Sequence, residues 1–388
     1  MRIGIFTNTY RPTVNGVAKC VEYYERGLRE RGHQVVVFAP AAEDYDRATD
    51  PDNVYRFPTI PNPFDADYTI AAPYSRPVAK ALRKLDFDVI HTQHPFWVGA
   101  WGQWYARLHD IPLVTTVHTD YRLFAHMIPL PEALVEGYMR VRVASYSNKC
   151  DIVTTPVKSM RRLLRRWGVR TPIKILANPT DMAEFQDGDG AGVRQRLGIA
   201  PDTVVFGFVG RLSPEKNLPF LLSAAEKVLR SHPHSAFLLV GDGPDREELE
   251  KTIRKGVADR ILFAGAVPHT EMPAYQAALD VFVSASRSET QCLAYTEAMA
   301  AGRPVVALKA PGAEDMIAPG KNGLLATDNE DPADLAGKIT ELVDDPERRR
   351  QMGENARTWV KQFDVSEVAA SLEKLYAEAA DLAHEAPI

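Results

Sequence analysis

Cysteine is scarce in this 388-residue chain: Cys20, Cys150 and Cys292 are its three, and no two stand at metal-ligand spacing. Three thiols make no disulfide framework, so a reducing cytoplasm is the expected location. Long apolar runs are also missing. None approaches the roughly 18–20 residues of a spanning helix. The amino terminus, "MRIGIFTNTY", reads as a strand and lacks the apolar core of a signal peptide. The spaced glycines of a dinucleotide fingerprint do not occur after the first strand, which counts against a nicotinamide dehydrogenase. Gly-x-Ser-x-Gly, His-Glu-x-x-His and a phosphate loop ending Gly-Lys-Ser/Thr are absent as well, which removes three common hydrolase and nucleotidase chemistries.

What is present is ordinary for a globular protein: 45% apolar and 25% charged residues, with a net charge of −5. The length favours two domains. Charge is unevenly spread. Residues 1–178 carry 24 Lys/Arg against 17 Asp/Glu, a net +7; the chain totals are 46 and 51, so the remainder carries −12. A basic half is suited to an anionic partner, although drift of charge along a solvated surface gives the same count. No nucleic-acid partner is expected.

Short β-rich runs alternate with helical patterns. "IGIFTN", "QVVVFAP", "DVIHTQ", "LVTTVHT" and "DIVTTP" are each followed by helix-like sequence. After a break the pattern restarts with "VVFGFVG", "AFLLVGDG", "ILFAGAV", "DVFVSAS" and "PVVAL". Such alternation means βαβ units and parallel sheets. The expected fold class is α/β, with two Rossmann-like doubly wound domains facing across a cleft beyond the strands' carboxyl ends. Residues 1–174 form the first domain, the Pro-, Gly- and Asp-rich stretch 175–192 a linker, and 193–364 the second domain. The helix-prone stretch 365–388 either completes the second domain or crosses back to the first. Periodicity leaves both open.

Two strand exits in the second half carry chemistry. In "FGFVGRLSPEKNLPF", Arg211 and Lys216 follow a strand and precede a helix, an arrangement that attracts phosphate; the plain alternative is two surface cations. In "SETQCLAYTEAMAAG", Glu289 falls in the turn after a strand and Glu297 about one turn into the next helix. Glutamates there can grip hydroxyls while the N–H groups of Gln291, Cys292 and Leu293 meet a diphosphate. A nucleotide sugar has hydroxyls on both sides of its diphosphate. Glu297 also fits a first-turn residue favoured by the helix dipole. In the first half, Gly16 opens a helix after strand one, where a phosphate can approach backbone N–H groups.

The Glu289-to-Glu297 segment resembles the Glu, seven residues, Glu motif of retaining family 4 glycosyltransferases. "TNTYRPTVNGVA", "GRLSPEKN", "VGDGPDREEL" and "EAMAAGRPVVA" resemble the same family in the same order, from Met1 to about Asp364. The resemblance implies the GT-B fold, two Rossmann-like domains with the final helix returning to the first. It implies that Arg211 and Lys216 bind the donor diphosphate, that Glu289 meets the sugar's 3- and 4-hydroxyls, and that Glu297 meets the ribose. Gly16 would lie against the diphosphate. His118, in "TTVHTDY", matches the family histidine near the sugar's reacting carbon, so the catalytic set is His118, Glu289, Arg211 and Lys216. "SETQ" and "VHTDY" also resemble the subgroup that glucosylates diacylglycerol and related lipids; Cys292 stands where that subgroup usually has Gly.

The expected activity is therefore retaining transfer of a hexose, with UDP-glucose favoured over GDP-mannose, to a membrane lipid such as diacylglycerol or a glycolipid. A GDP-mannose-dependent mannosyltransferase, a transferase to a polysaccharide or soluble acceptor, a sugar-nucleotide epimerase on the same fold and a non-catalytic nucleotide-sugar sensor are the alternatives. No cofactor and no metal are expected. Asp-x-Asp strings at Asp44/Asp46, Asp65/Asp67, Asp86/Asp88 and Asp187/Asp189 have no companion ligands, and Arg211 and Lys216 can neutralise the leaving diphosphate. A lipid acceptor calls for a peripheral contact with an anionic membrane, on the inner face of the plasma membrane. "VKSMRRLLRRWGVR" is one candidate: Met160, Leu163, Leu164 and Trp167 form one stripe, and Lys158, Arg161, Arg162, Arg165 and Arg166 surround it. Packing of that stripe on the core is the competing reading. "HPFWVGAWGQWYARL", with Phe96, Trp97, Trp101, Trp104 and Tyr105, is a candidate acceptor groove or core.

Overall fold

The computed structural model describes the chain except residues 14, 43–49, 61–69, 73, 123–127, 288 and 386–388. It forms two units. The first is Met1–Pro179 with Val365–Ile388, and the second is Thr180–Asp364.

The first unit is built on seven parallel strands: β1 (Arg2–Phe6), β2 (Gln34–Pro40), β3 (Val54–Phe57), β4 (Val89–Thr92), β5 (Leu113–Thr116), β6 (Ile152–Thr155) and β7 (Ile173–Ile175). Their order is β3-β2-β1-β4-β5-β6-β7. The strands read as continuous Val, Ile and Phe because both faces are covered, as parallel sheets require. Ile3, Ile5 and Val37 meet the helices on one face; Phe6, Phe38 and Phe57 pack on the other.

Helix α1 (Gly16–Glu30) is started by Asn15, whose side chain accepts from the Ala18 N–H at 2.9 Å. Helices α2 (Trp97–Leu108), α3 (Glu132–Ser147) and α4 (Lys158–Arg166) follow β4, β5 and β6. The final helix of the chain, Val365–Glu385, packs against α1 in this unit. Gly27 makes that contact possible, since a Cβ there would lie 2.9 Å from Ala369 Cβ and Val365 Cγ1. Tyr376 seals it from below, its hydroxyl 2.8 Å from His91 Nδ1. Tertiary packing thus answers what periodicity left open.

The second unit has six parallel strands: β8 (Val204–Val209), β9 (Ser235–Val240), β10 (Ile261–Gly265), β11 (Val281–Ser284), β12 (Val305–Leu308) and β13 (Gly323–Ala326). Their order is β10-β9-β8-β11-β12-β13. In both sheets the order reverses direction beside the first strand, between β1 and β4 and between β8 and β11. Loops leaving such a pair diverge and open a crevice at the carboxyl ends.

The stretch 175–192 is not a linker without period. It contains α5 (Met182–Gln186) and the start of α6 (Gly190–Arg196). Its aspartates are helix caps: Asp181 accepts from the Glu184 N–H at 3.2 Å and Asp189 from the Gly192 N–H at 2.8 Å. Asp and Gly that read as linker composition are the start signals of two short helices. The chain passes between the units at Pro179–Thr180 and again at Asp364–Val365. Thr180 and Asp364 are bridged in parallel, and the Thr180 N–H donates to Phe363 O at 2.8 Å.

The remaining helices of the second unit that bear on the site are α7 (Leu218–Ser231), α8 (Met272–Ala278), α9 (Leu293–Ala300), α10 (Pro332–Asp344) and α11 (Pro346–Val360). Helix α12 is the final one, Val365–Glu385.

Candidate active site

Beyond the carboxyl end of β8 the chain runs through Gly210 and Arg211 into a single 3-10 turn, Pro214–Lys216. Asn217 then adopts a left-handed conformation (φ 53°) and ends that turn as the first residue of α7 begins. Asparagine tolerates this region better than other side chains. Its Nδ2 donates to Ala285 O at 3.3 Å, just past β11. The exits of the two diverging strands are therefore tied together.

Within this tie, Lys216 Nζ donates to Glu289 Oε1 at 2.7 Å. Both side chains are largely shielded, at 20% and 13% exposure. Burial alone would lower the pKa of the Lys216 ammonium; the Glu289 carboxylate outweighs it, and the net shift is upward. The site thus carries a fixed positive charge. An ammonium has three donors, and Glu289 takes one of them.

Glu289 is positioned by a loop that leans on Gly312. The Glu289 N–H donates to Pro311 O at 3.2 Å. A Cβ at Gly312 would lie 2.2 Å from Glu289 O and 2.5 Å from Thr290 O, and Gly312 has φ 85°. Only glycine fits both demands. Gln291 is buried, and Cys292 caps α9 with an ordinary extended backbone (φ −73°, ψ 111°), so cysteine costs nothing in conformation where the related subgroup has glycine. Burial and then the Glu289 charge push the Cys292 thiol's pKa upward, so it is not a thiolate nucleophile at neutral pH. Leu293 opens α9 and Glu297 is its fifth residue, both partly buried. Arg211 is exposed directly after the strand exit. The structure thus brings Arg211, Lys216, Glu289, Gln291, Cys292, Leu293 and Glu297 to one pair of adjacent strand exits. Ser288, the first residue of the quoted motif, lies outside the described residues.

His118 and Gly16 belong to the first unit. His118 follows β5 and is 3% exposed; burial pushes its pKa down to about 4, with the Asn178 hydrogen bond opposing. It is a neutral imidazole at pH 7. Its Nδ1 is 3.1 Å from Asn178 Oδ1 and its Nε2 is 2.7 Å from Gln93 Oε1. A neutral ring donates from one nitrogen only. The Gln93 amide nitrogen is buried with no partner. Exchanging the two amide atoms of Gln93, which have the same shape, gives Nε2 a donor and that nitrogen an acceptor. His91 and His94, at the end of β4 and just beyond it, are likewise held neutral; burial pushes each to about 3. Gly16 is the exposed first residue of α1, where the opening N–H groups have no intrahelical acceptor.

One expectation needs correction. The apolar stripe of α4 is not offered to a membrane: Met160 and Leu164 are buried in the first unit, and Leu163 and Trp167 are partly buried. Arg165 donates to the carbonyls of Val169, Arg170 and Thr171, while Arg161, Arg162 and Arg166 face solvent. A helix on a globular surface and one on a membrane share the same pattern, and here the core takes the stripe. The aromatic segment divides. Tyr105 is buried, with its hydroxyl donating to Leu82 O at 2.9 Å, whereas Trp97 and Trp104 are exposed. Of the Asp-x-Asp strings, Asp44/Asp46 and Asp65/Asp67 lie outside the described residues; Asp187 and Asp189 stand at helix ends.

Asn217, Gly312, Gln93 and Asn178 were not singled out from the sequence. Asn217 had a signal, an asparagine directly before a helix. The others act through tertiary contacts that no local pattern records.

Residues 14–184 match the family described as Glycosyltransferase Family 4, and residues 192–359 match Glycosyl transferases group 1. An alpha-monoglucosyldiacylglycerol synthase from Acholeplasma laidlawii is 30% identical, with 98% of each chain covered. A GDP-mannose-dependent alpha-mannosyltransferase from Corynebacterium glutamicum is 29% identical across 100% of this chain and 91% of its own. Among solved structures, Anabaena Alr3699/HepE in complex with UDP and glucose is similar at a TM-score of 0.76 and 25% identity, covering 97% of this chain and 99% of that one.

Gly312→Ala is expected to raise amide exchange across residues 289–297 by about tenfold or more, because the local opening it promotes frees that loop. Far-UV circular dichroism should stay unchanged. Unaltered exchange in a folded variant would contradict the support assigned to Gly312.

Proposed function

This chain belongs to glycosyltransferase family 4, and we propose that it transfers glucose from UDP-glucose to a membrane lipid with retention at the anomeric carbon. The observation that carries the reading is the shielded Lys216–Glu289 pair between two diverging strand exits, a cation beside a hydroxyl-binding carboxylate. Lys216 and Arg211 bind the donor diphosphate. Glu289 holds the sugar hydroxyls, Glu297 the ribose, and the N–H groups of Gln291, Cys292 and Leu293 add to the diphosphate site. The family resemblance assigns Gly16, at the start of α1, to diphosphate binding as well. His118 is neutral at working pH, so its part toward the sugar is that of a hydrogen-bond partner, taken up by exchanging its Gln93 bond for a sugar hydroxyl, and not that of a cation.

In the reaction the bond from the anomeric carbon to the diphosphate oxygen breaks, and the sugar gains oxocarbenium character. The acceptor oxygen bonds to that carbon from the same face, and its proton passes to the departing phosphate. Arg211 and Lys216 stabilise the charge that develops on the leaving group, which is electrostatic preorganisation. The proposal includes independence from metal, because two fixed cations supply that charge.

Glucose is favoured over mannose because an alpha-monoglucosyldiacylglycerol synthase matches over nearly its whole length, and UDP over GDP because Anabaena Alr3699/HepE is similar and was solved with UDP and glucose. The mannosyltransferase similarity keeps GDP-mannose as the second reading. No helix among the described residues is long and apolar enough to cross a membrane. A lipid acceptor is then reached peripherally. With the α4 stripe packed inward, we take as the apolar surface for this the one on α3, where Leu134, Tyr138 and Val141 stand at i, i+4 and i+7 with 67%, 61% and 62% exposure.

A thermal-shift screen of UDP- and GDP-sugars tests the donor, since the true donor stabilises by RT ln(1 + [L]/Kd). With that donor, Arg211→Ala and Lys216→Ala should each lower turnover by about 10²-fold or more, and excess EDTA should leave the wild type unchanged. Near-normal turnover in both variants contradicts the assignment. In vesicle flotation, Leu134→Asp/Tyr138→Asp should abolish recovery with anionic vesicles that the wild type binds. Equal recovery removes the α3 surface.

A further inference from the structure

A second concave site lies in the second unit, at the opposite end of its sheet from Lys216 and Glu289. It has a volume of about 350 Å³, and its lining includes Asp280, Arg303, Arg349, Arg350 and Arg357. Asp280 immediately precedes β11 and Arg303 lies two residues before β12, so the concavity is at the strands' amino ends. β11 has four residues, which separates the two ends by about 13 Å along the strand.

The charges here do not balance. Asp280 is taken by Arg194, with Nη2 to Oδ2 at 2.7 Å. Arg350 is taken by Glu347 and Glu354 on its own helix. Arg303, Arg349 and Arg357 have no carboxylate within ion-pair distance among the described residues. Their partners are backbone carbonyls: Arg303 Nη2 donates to Ala277 O at 2.7 Å, Arg349 Nη1 to Leu342 O at 2.5 Å, and Arg357 Nη2 to Ala301 O at 3.2 Å. These carbonyls belong to the carboxyl ends of α8, α10 and α9. A helix end carries about half a negative charge, which leaves three full cations partly uncompensated.

Arg303 Nε is buried and has no hydrogen-bond partner. Burial lowers the Arg303 pKa; Asp280 opposes this, and the guanidiniums of Arg194, Arg357 and Arg349 add to the lowering. The cations therefore repel one another around a hollow. A buried donor without an acceptor and unbalanced planar guanidiniums are what a phosphate group satisfies, because its oxygens accept from several N–H groups at once. The volume falls at the low end of the roughly 300–1,000 Å³ of small-ligand sites.

We propose that this pocket, formed by Arg303, Arg349 and Arg357 at the amino ends of β11 and β12, binds a phosphate group separately from the donor site. The phosphate is carried either by a free anion or by a lipid headgroup. The inference does not depend on the donor or acceptor proposed above.

The test is isothermal titration of the full chain with inorganic phosphate at constant ionic strength, in wild type, Arg303→Gln, Arg349→Gln and Lys216→Gln. Glutamine keeps one donor for the carbonyl while removing the charge. Saturable binding is expected in wild type and in Lys216→Gln, weakened about tenfold or more in Arg303→Gln and Arg349→Gln, because a hydrogen bond to a charged group is lost. A parallel arm uses phosphatidylglycerol vesicles with phosphatidylcholine vesicles as control. Vesicle binding that Arg349→Gln reduces supports the site with a lipid headgroup as its source; phosphate binding without that effect supports it with a free anion. Absence of saturable phosphate binding, equal binding in the folded Arg303→Gln and Arg349→Gln proteins, or loss in Lys216→Gln overturns the proposal.

Discussion

The second unit is organised around one ion pair, Lys216 with Glu289, between two loops that diverge from adjacent strands. A parallel sheet offers ligand-facing positions beyond its carboxyl ends, and the divergence of β8 and β11 leaves a crevice that side chains must bridge. Burying an ammonium or a carboxylate alone is costly, whereas together they offset much of that cost. The pair therefore fixes both loops. Asn217 secures one by its left-handed turn and its bond to Ala285 O, and Gly312 supports the other by letting the backbone approach Glu289. A ligand that brings its own negative charge meets a cation already in place.

The first unit reaches preorganisation by a different route. Three of its histidines at or near the strand ends are buried and uncharged: His91, His94 and His118 are all held as neutral rings by desolvation. Thr116 and Tyr376 bracket His91, while Gln93 and Asn178 bracket His118. Such a network fixes the orientation of each ring without charge and does not change protonation near neutral pH. The second unit holds a fixed cation and carboxylate, and the first holds neutral rings fixed by hydrogen bonds.

Much of this was legible in the sequence for identifiable reasons. Strands such as Val204–Val209 are buried on both faces, so they read as continuous apolar runs, and the helices between them mark parallel crossovers. Arg211, Lys216, Glu289 and Glu297 were visible because charge at a strand exit is unusual and because the spacing resembles a known family. The linker stretch contains the passage between the units at Pro179–Thr180 but was drawn too long, because Asp181 and Asp189 cap helices, and caps share their composition with loops. The α4 stripe failed because amphipathicity shows that a face is covered without showing what covers it. Gly312, Gln93 and Asn178 were not legible at all. Each matters only through what folding brings beside it.

The central claim is a division of labour, in which Lys216 captures the diphosphate and Glu289 recognises the sugar. Titration of Glu289→Gln and Lys216→Gln with a nucleoside diphosphate and with its nucleotide sugar tests this most directly. The account requires that Lys216→Gln weaken both ligands. Glu289→Gln should leave the diphosphate bound as in wild type or more tightly and remove the added affinity contributed by the sugar. Full retention of that sugar contribution in Glu289→Gln, or unchanged diphosphate affinity in Lys216→Gln, would contradict it.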